Sequence, residues 1–223
     1  MLAHRGASAH ERENTIAAFA AAVAGRADGV ELDVRPTADG ALAVHHDAHL
    51  PDGRSIPEVR AADLPEHVPL LEAALEACGS LLVNVEIKHD RREPGFSDDH
   101  RLAAPVVVAI RAWGGRAVVS SFDPGMVDAV RAVDGDLPTA QLTALLDRAG
   151  PAVAAAIRAR GHSGWNPWHP TLDREAIDAG HASGLTILTW TVDDPRRIAE
   201  LAEWGVDGIV ANDPVAALRV LGR

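Results

Sequence analysis

Short apolar segments and amphipathic segments alternate eight times along this chain, and this alternation restricts its fold more than any other feature. The apolar segments have the composition of strands that are buried on both faces, and the segments between them show the spacing of apolar residues that is typical of helices. The predicted strands are Met1–His4, Gly29–Val34, Leu81–Lys88, Arg116–Phe122, Pro138–Leu142, Gly161–Asn166, Leu185–Val192 and Val206–Ala211. The predicted helices are Thr15–Gly25, Leu70–Cys78, Arg101–Gly114, Pro124–Val133, Ala149–Arg160, Asp173–Ser183, Pro195–Glu203 and Pro214–Leu221.

Eight βα units in a chain of 223 residues predict an α/β fold, a TIM (β/α)8 barrel that forms a single domain over residues 1–223. A doubly wound open sheet is the alternative, but no dinucleotide glycine fingerprint follows the first strand. The turn signal Pro36-Thr-Ala-Asp-Gly40 predicts a hairpin over Val30–His46 after strand two. Together with the loop-like stretch Asp47–Pro69, it gives a hairpin and loop insertion at residues 35–69.

Charge and composition limit the cellular compartments and the classes of binding partner that we expect for this chain. The net charge of −11 argues against a nucleic-acid surface and disfavours anionic membranes. The single Cys78 excludes an internal disulfide. The sequence shows no signal peptide and no apolar run of roughly 18 residues that could span a bilayer. We therefore expect a cytoplasmic protein without stable membrane association, and we leave its oligomeric state open.

Charged residues occupy two of the buried strands. Glu31 and Asp33 lie two positions apart on one strand, as do Glu86 and Lys88 on the other, so each pair points to one side of its strand. Burying unpaired charges costs several kcal/mol or more, and a bound divalent cation would compensate for it. Three carboxylates favour Mg²⁺ or Ca²⁺. The alternatives are an outward-facing Glu31/Asp33 pair and a metal-free ion pair between Glu86 and Lys88.

Basic residues follow the neighbouring strand ends. His4 and Arg5 end the first strand, and His46 ends the return strand of the hairpin, so all face the mouth where barrel enzymes carry their catalytic groups. A cation and Arg5 can hold a phosphodiester, and Lys88 adds a point charge. Two histidines can move a proton between the attacking and leaving oxygens. His45 competes with His46 for the second position, because the two face opposite sides.

The ordered motifs resemble those of the glycerophosphodiester phosphodiesterases, in the barrel superfamily that includes phosphatidylinositol-specific phospholipases C. The resemblance covers nearly the whole chain. Each motif alone is weak, whereas the ordered set is specific. The motifs are His4-Arg5-Gly6, Glu13-Asn14-Thr15, Gly29-Val-Glu-Leu-Asp-Val34, His46-Asp47, Glu86-Ile-Lys88, Ser120-Ser-Phe122, Thr189-Trp-Thr-Val192 and Gly205-Val-Asp-Gly-Ile-Val210.

The resemblance implies hydrolysis of glycerophosphodiesters to sn-glycerol 3-phosphate and an alcohol, with one divalent cation and a small-molecule substrate. It also implies three metal ligands, a catalytic acid–base pair, three substrate-binding residues and one supporting carboxylate. The metal ligands are Glu31, Asp33 and Glu86, and the acid–base pair is His4 and His46. The substrate-binding residues are Arg5, Lys88 and Trp190, and the supporting carboxylate is Glu13. The other histidines that we expect at the surface or in loops are His10, His49, His67, His89, His100, His162, His169 and His181.

Departures from the family pattern affect the headgroup more than the chemistry. Arg12 replaces the usual proline before Glu-Asn-Thr, the segment after His46-Asp47 is short, and Ala211-Asn212-Asp213 replaces a Thr-Asp pair. A lysophospholipase D-like or C-like activity and a non-catalytic phosphoester-binding barrel are the alternatives. Metal-dependent amide hydrolysis is a further one, but it usually uses histidine-rich metal ligands.

Overall fold

The computed structural model describes residues 1–144 and 150–223. In these ranges the strands are β1 (Leu2–His4), β2 (Gly29–Pro36), β3 (Leu42–Val44), β4 (Leu82–Ile87), β5 (Ala117–Ser121), β6 (Thr139–Thr143), β7 (Gly164–Pro167), β8 (Thr186–Thr189) and β9 (Gly208–Ala211). The α-helices are α1 (Ile16–Ala24), α2 (Leu71–Ala77), α3 (Ala103–Trp113), α4 (Pro124–Val133), α5 (Pro151–Ala159), α6 (Arg174–Ala182), α7 (Pro195–Glu203) and α8 (Pro214–Val220).

The strands other than β3 form a closed parallel barrel. Its order is β1-β2-β4-β5-β6-β7-β8-β9, and β1 closes it by pairing with both β2 and β9. The predicted TIM barrel is therefore confirmed. Since all strands run in one direction, their carboxyl ends and the following loops lie at one mouth.

Most predicted strands are too long. β8 covers Thr186–Thr189 instead of Leu185–Val192, and β7 begins at Gly164 instead of Gly161. An apolar run shows which residues are buried, and it can extend past the end of the strand. The strand itself ends where its neighbour no longer supplies hydrogen-bonding partners. Helix α5 begins at Pro151, and the predicted helix start at Ala149 lies outside the described residues.

Aspartate caps fix the starts of several helices that follow the strands. Asp123 accepts a hydrogen bond from the Gly125 amide at the start of α4. Asp173, Asp194 and Asp213 cap α6, α7 and α8 in the same way. Each carboxylate satisfies an N–H group that has no partner within the helix, which favours the short strand-to-helix turns of this barrel.

The insertion after β2 packs on its own small core. β3 runs antiparallel to the end of β2, with Val34 opposite Val44, as the predicted hairpin requires. The following loop contains two single turns of 3₁₀ helix, and its apolar residues form a separate cluster with β3. This cluster consists of Ala43, Leu50, Ile56, Val59 and Val68. The insertion thus begins and ends next to the carboxyl end of β2.

None of the helices in the described part of the chain combines the length and the hydrophobicity needed to cross a bilayer. The cytoplasmic location and the single-domain boundary at residues 1–223 stay predictions.

Cys78 is expected to be unreactive in the folded protein. It directly follows α2 and has no exposed surface, and burial raises the pKa of its thiol to about 12. Because the thiolate is the reactive form, a disulfide reagent at pH 8 should titrate no thiol in the native protein and one thiol after denaturation. Rapid native labelling would contradict this packing.

Candidate active site

Charged side chains from three neighbouring strands meet at the mouth of the barrel. His4 on β1 lies beside Glu31 on β2, and Asp33 on β2 lies beside Glu86 on β4. The carboxylate oxygens of Glu31, Asp33 and Glu86 lie within 4.8 Å of one another. All three side chains are buried, so the alternative in which Glu31 and Asp33 face outward is wrong.

Two cations partly balance the three carboxylates. The Lys88 Nζ atom lies 2.9 Å from Asp33 Oδ1 and 2.5 Å from Glu86 Oε1. The Arg5 Nε atom lies 3.3 Å from Asp33 Oδ2, and its Nη1 donates to both oxygens of Glu13 at 3.0 Å. Asp33 is therefore flanked by both cations. Among the described residues, Glu31 accepts a hydrogen bond from the Arg5 backbone N–H alone, at 3.1 Å, and it faces His4 Nε2 at 3.9 Å.

The pKa values follow this unequal pairing. Burial raises the pKa of Glu31 well above its usual range, and the charges of Asp33 and Glu86 raise it further. Burial also raises the pKa of Glu86, because the charge of Lys88 offsets it only in part. Burial opposes ionisation of Asp33 too, but Lys88 and Arg5 outweigh it and hold that pKa well below its usual range. The cluster therefore has more negative charge than its cations can stabilise.

The residues present fit a divalent cation. A cavity of about 20 Å³, enough for one small ion or water, is lined by His4, Glu31, Asn84, Glu86 and Trp190 among others. The Asn84 Oδ1 atom is buried and has no hydrogen-bond partner among the described residues. It is an oxygen donor of the kind that Mg²⁺ and Ca²⁺ prefer. The Glu86–Lys88 ion pair of the metal-free alternative is present. It supplies neither a hydrogen-bond donor for Asn84 Oδ1 nor a cation beside Glu31.

Asn84 was missed in the sequence, although a signal was available. It lies two positions before Glu86 on the same strand and therefore points to the same side. A search for charged residues alone does not find Asn84, because its amide side chain is neutral.

The rings of His4 and His46 are held by different partners. His4 Nδ1 lies 2.7 Å from Asn212 Oδ1, and the Asn212 amide nitrogen donates to Asp193 Oδ2 at 2.5 Å. Because the Asp193 carboxylate can only accept, Asn212 must turn its oxygen to His4, which then carries its proton on Nδ1. His46 Nδ1 lies 2.7 Å from Asp47 Oδ1. Each histidine therefore directs Nε2 away from its supporting partner.

His4 and His46 differ in their surroundings. Burial lowers the pKa of His4, and the charge of Arg5 adds to this effect. His46 lies close enough to the carboxylates for its charge to lower the pKa of Asp33. The neighbouring His45 turns its Nδ1 to the Asp47 carbonyl oxygen, at 2.9 Å.

Two larger cavities are connected to this site through single residues: one contains Glu13, the partner of Arg5, and the other shares Leu142 with the small cavity. One, of about 630 Å³, is lined by the insertion, including His45 and Asp47, and by Arg12 where the family has proline. The other, of about 710 Å³, is mainly apolar and is lined by Phe122, Leu142, Val153 and Ile157 among others. Trp190 packs against Phe122, a lining residue of the second cavity, with the two rings nearly perpendicular and their centroids 5.5 Å apart.

Two histidines predicted at the surface or in loops are buried. His89 belongs to the loop after β4 but is closed off from solvent, and His162 is fully buried. His162 Nδ1 contacts the Thr139 hydroxyl at 3.0 Å, and its Nε2 lies 3.1 Å from Asp128 Oδ1. Both residues lie in loops, as one of the two predicted placements requires, but neither is at the surface. The sequence alone does not show which polar side chains find partners in the interior.

A parallel barrel whose mouth holds buried carboxylates, an arginine, a lysine and two histidines has the groups of a phosphoric diester hydrolase. Comparison with known proteins gives the family. The model of the glycerophosphoryl diester phosphodiesterase family matches residues 4–216, and the chain belongs to that family. The resemblance seen in the motifs is thereby confirmed.

Relatives match over the whole chain. A glycerophosphodiester phosphodiesterase of Caldanaerobacter subterraneus is 29% identical, and the match covers 100% of this chain and 98% of the relative. A putative glycerophosphoryl diester phosphodiesterase from Silicibacter pomeroyi is 29% identical with a TM-score of 0.89, covering 99% of this chain and 92% of that one. An Oleispira antarctica phosphodiesterase, solved with the product sn-glycerol-3-phosphate, is 20% identical with a TM-score of 0.90, covering 100% and 96%, and shows the shared fold.

Proposed function

We propose that the protein hydrolyses glycerophosphodiesters to sn-glycerol 3-phosphate and an alcohol, using one divalent cation, Mg²⁺ or Ca²⁺, and a pair of histidines. The observation that carries this proposal is the buried cluster of Glu31, Asp33 and Glu86 with Arg5 and Lys88 around it. Hard oxygen ligands would hold the cation, and the adjoining cations would hold the anionic phosphodiester.

The bound cation would stabilise negative charge on the phosphoryl oxygens. Arg5 Nη1 donates to Glu13 and Nε faces Asp33 at 3.3 Å, which leaves Nη2 for a phosphate oxygen. Lys88 bridges Asp33 and Glu86 and would present its remaining N–H donor to the substrate. Both cations are therefore held in place before the substrate arrives, so little ordering is needed on binding.

The two histidines would move protons at Nε2. Asn212 holds His4 as the tautomer with a lone pair on Nε2, which suits a base that takes the proton from the attacking oxygen. The partner of His46, Asp47, lines the cavity of about 630 Å³, where a leaving alcohol could sit. His46 would therefore protonate the leaving oxygen.

A second candidate is a lysophospholipase D-like or C-like activity, as anticipated from the sequence. The apolar cavity beside Phe122 favours it, since an acyl chain needs a nonpolar surface next to the phosphodiester site. The exposure of Phe122, at 42%, fits a contact with a lipid.

The products released from two kinds of substrate distinguish the candidates. We expect metal-dependent release from at least one of glycerophosphocholine, glycerophosphoethanolamine, glycerophosphoinositol and bis(glycero)phosphate, with Mg²⁺ or Ca²⁺ supplied to the chelated enzyme. Lysophosphatidylcholine in the same assay would report the lipid activity through release of choline or phosphocholine. Turnover of the lysolipid alone would favour the second candidate. No turnover of any substrate by folded, metal-loaded protein would favour a binding barrel instead.

A further inference from the structure

A second group of metal-ligating side chains lies outside the carboxylate cluster. His89 follows β4, His100 precedes α3 and Asp123 caps α4, and one ligand atom from each lies within 4.8 Å of the other two. His89 Nδ1 is 2.6 Å and His100 Nε2 is 3.0 Å from the same oxygen, Asp123 Oδ2. We propose that these three residues bind a zinc ion at a site separate from the catalytic one.

The donor set selects the metal. Two imidazole nitrogens and one carboxylate oxygen suit Zn²⁺, whereas Mg²⁺ and Ca²⁺ prefer oxygen ligands alone. Tetrahedral zinc with bonds of about 2.0–2.1 Å places its ligands about 3.3 Å apart. The present separations of 2.6 and 3.0 Å are those of hydrogen bonds, so the rings need to move apart by only several tenths of an ångström. A water molecule would complete the four ligands.

The surroundings orient the rings as metal-binding histidines require. His89 Nε2 lies 2.9 Å from the Ser97 carbonyl oxygen, which can only accept, so this nitrogen carries a proton. Metal-bound histidines typically donate their other N–H to such a carbonyl, which leaves Nδ1 free to bind the ion. Asp123 is fixed as well, because its Oδ1 accepts the Gly125 amide at 2.9 Å. Phe96 covers the His89 ring with centroids 4.4 Å apart.

The backbone also makes room for His100. A side chain at position 125 would place its Cβ 2.5 Å from His100 Nε2, so the glycine there keeps space for the ring. His100 itself has a φ of +49°, a conformation that is costly for residues other than glycine. Strain of this kind persists where the surrounding structure, or a ligand, enforces it.

Two of the nearby cations already pair with carboxylates, which reduces their repulsion of the ion. Arg91 pairs with Asp98 at 2.6 Å, and Lys88 is engaged by Asp33 and Glu86. Without a metal, the same contacts would form a hydrogen-bonded network in which Asp123 Oδ2 accepts from both rings. The two states differ in whether the protein retains zinc.

Zinc here would have a consequence for the mouth of the barrel. It would tie the segment from His89 to His100 to the loop after β5. Arg92, Glu93 and Pro94 of this segment line the cavity of about 630 Å³ beside the carboxylate cluster. The ion would thus hold one wall of that cavity in place.

Metal content tests the proposal on the full chain. The chelator-stripped protein is equilibrated with micromolar Zn²⁺ in excess Mg²⁺, which occupies the carboxylate cluster, and is then desalted. We expect one zinc per chain, and at least a tenfold lower content in His100→Ala. Two controls should retain zinc: Glu86→Gln, in the carboxylate cluster, and His181→Ala, which removes an exposed histidine 2.9 Å from Asp207.

A spectrum of the wild-type protein gives a second measurement that does not depend on the folding of a variant. Co²⁺ in place of zinc should give the visible absorption bands of a four-coordinate site, and added Zn²⁺ should remove them. Wild-type protein that retains no zinc and shows no such bands would overturn the proposal. So would folded His100→Ala that retains as much zinc as the wild type.

Discussion

Replacing His4 or His46 with alanine is expected to lower kcat by roughly 10²–10⁴, the usual range for loss of a general acid or base. Both side chains lie at the mouth of the barrel, and their Nδ1 atoms are occupied by Asn212 and Asp47. Because Nε2 is the nitrogen left for proton transfer, truncation removes the chemistry. Neither residue belongs to the large apolar clusters, so the fold should persist.

Steady-state kinetics with glycerophosphodiesters, together with circular dichroism, would measure this effect. His10→Ala is the matched control, because His10 is an exposed histidine near the same mouth that pairs with Asp213 at 3.0 Å. It should keep kcat within a few-fold of the wild type. If His4→Ala or His46→Ala turned over at the wild-type rate, the acid or base role of that residue would be refuted.

Removal of the divalent cation is expected to abolish turnover, and Glu86→Gln should weaken Mg²⁺ and Ca²⁺ binding by at least ~10²-fold. Loss of a residue that only supports a metal ligand already costs about 10–100-fold in affinity. The amide keeps the size of Glu86 but loses its charge, so the 2.5 Å contact with Lys88 is no longer an ion pair. Turnover should return when Mg²⁺ or Ca²⁺ is added back to the wild-type enzyme.

Calorimetric titration of the chelated proteins would give the affinities. Glu76→Gln, on the exposed face of α2, removes the same charge away from the mouth and should bind as the wild type does. Full activity after exhaustive chelation would refute the metal mechanism. Wild-type affinity in Glu86→Gln would show that Glu86 is not a ligand.

The barrel could be predicted from the sequence because its signal is local and repeated. Each strand is an apolar run and each helix an amphipathic one, and a parallel barrel is the simplest arrangement that buries eight such units. Side chains alternate along a strand, and this alternation predicted that Glu31 and Asp33 share one side of β2 and that Glu86 shares a side of β4 with Lys88. The catalytic and ligand roles of these residues remain predictions.

Contacts between distant segments could not be predicted in this way. His4 and Asn212 are 208 positions apart, and Asn212 is oriented in turn by Asp193. Position 212 stood out only as a departure from the family pattern. The group of His89, His100 and Asp123 likewise depends on how two loops fold back over the barrel, for which periodicity gives no information.

The crowded carboxylates of β2 and β4 have a cost beyond catalysis. Glu31 is buried, and burial together with the charges of Asp33 and Glu86 raises its pKa, which opposes the charged form that metal binding would require. A chain selected for thermostability alone would place neutral or apolar side chains there, since replacing buried charges with well-packed neutral groups is often stabilising. The mouth of this barrel is thus a place where activity and thermostability compete, and heat-resistant but inactive variants should arise there.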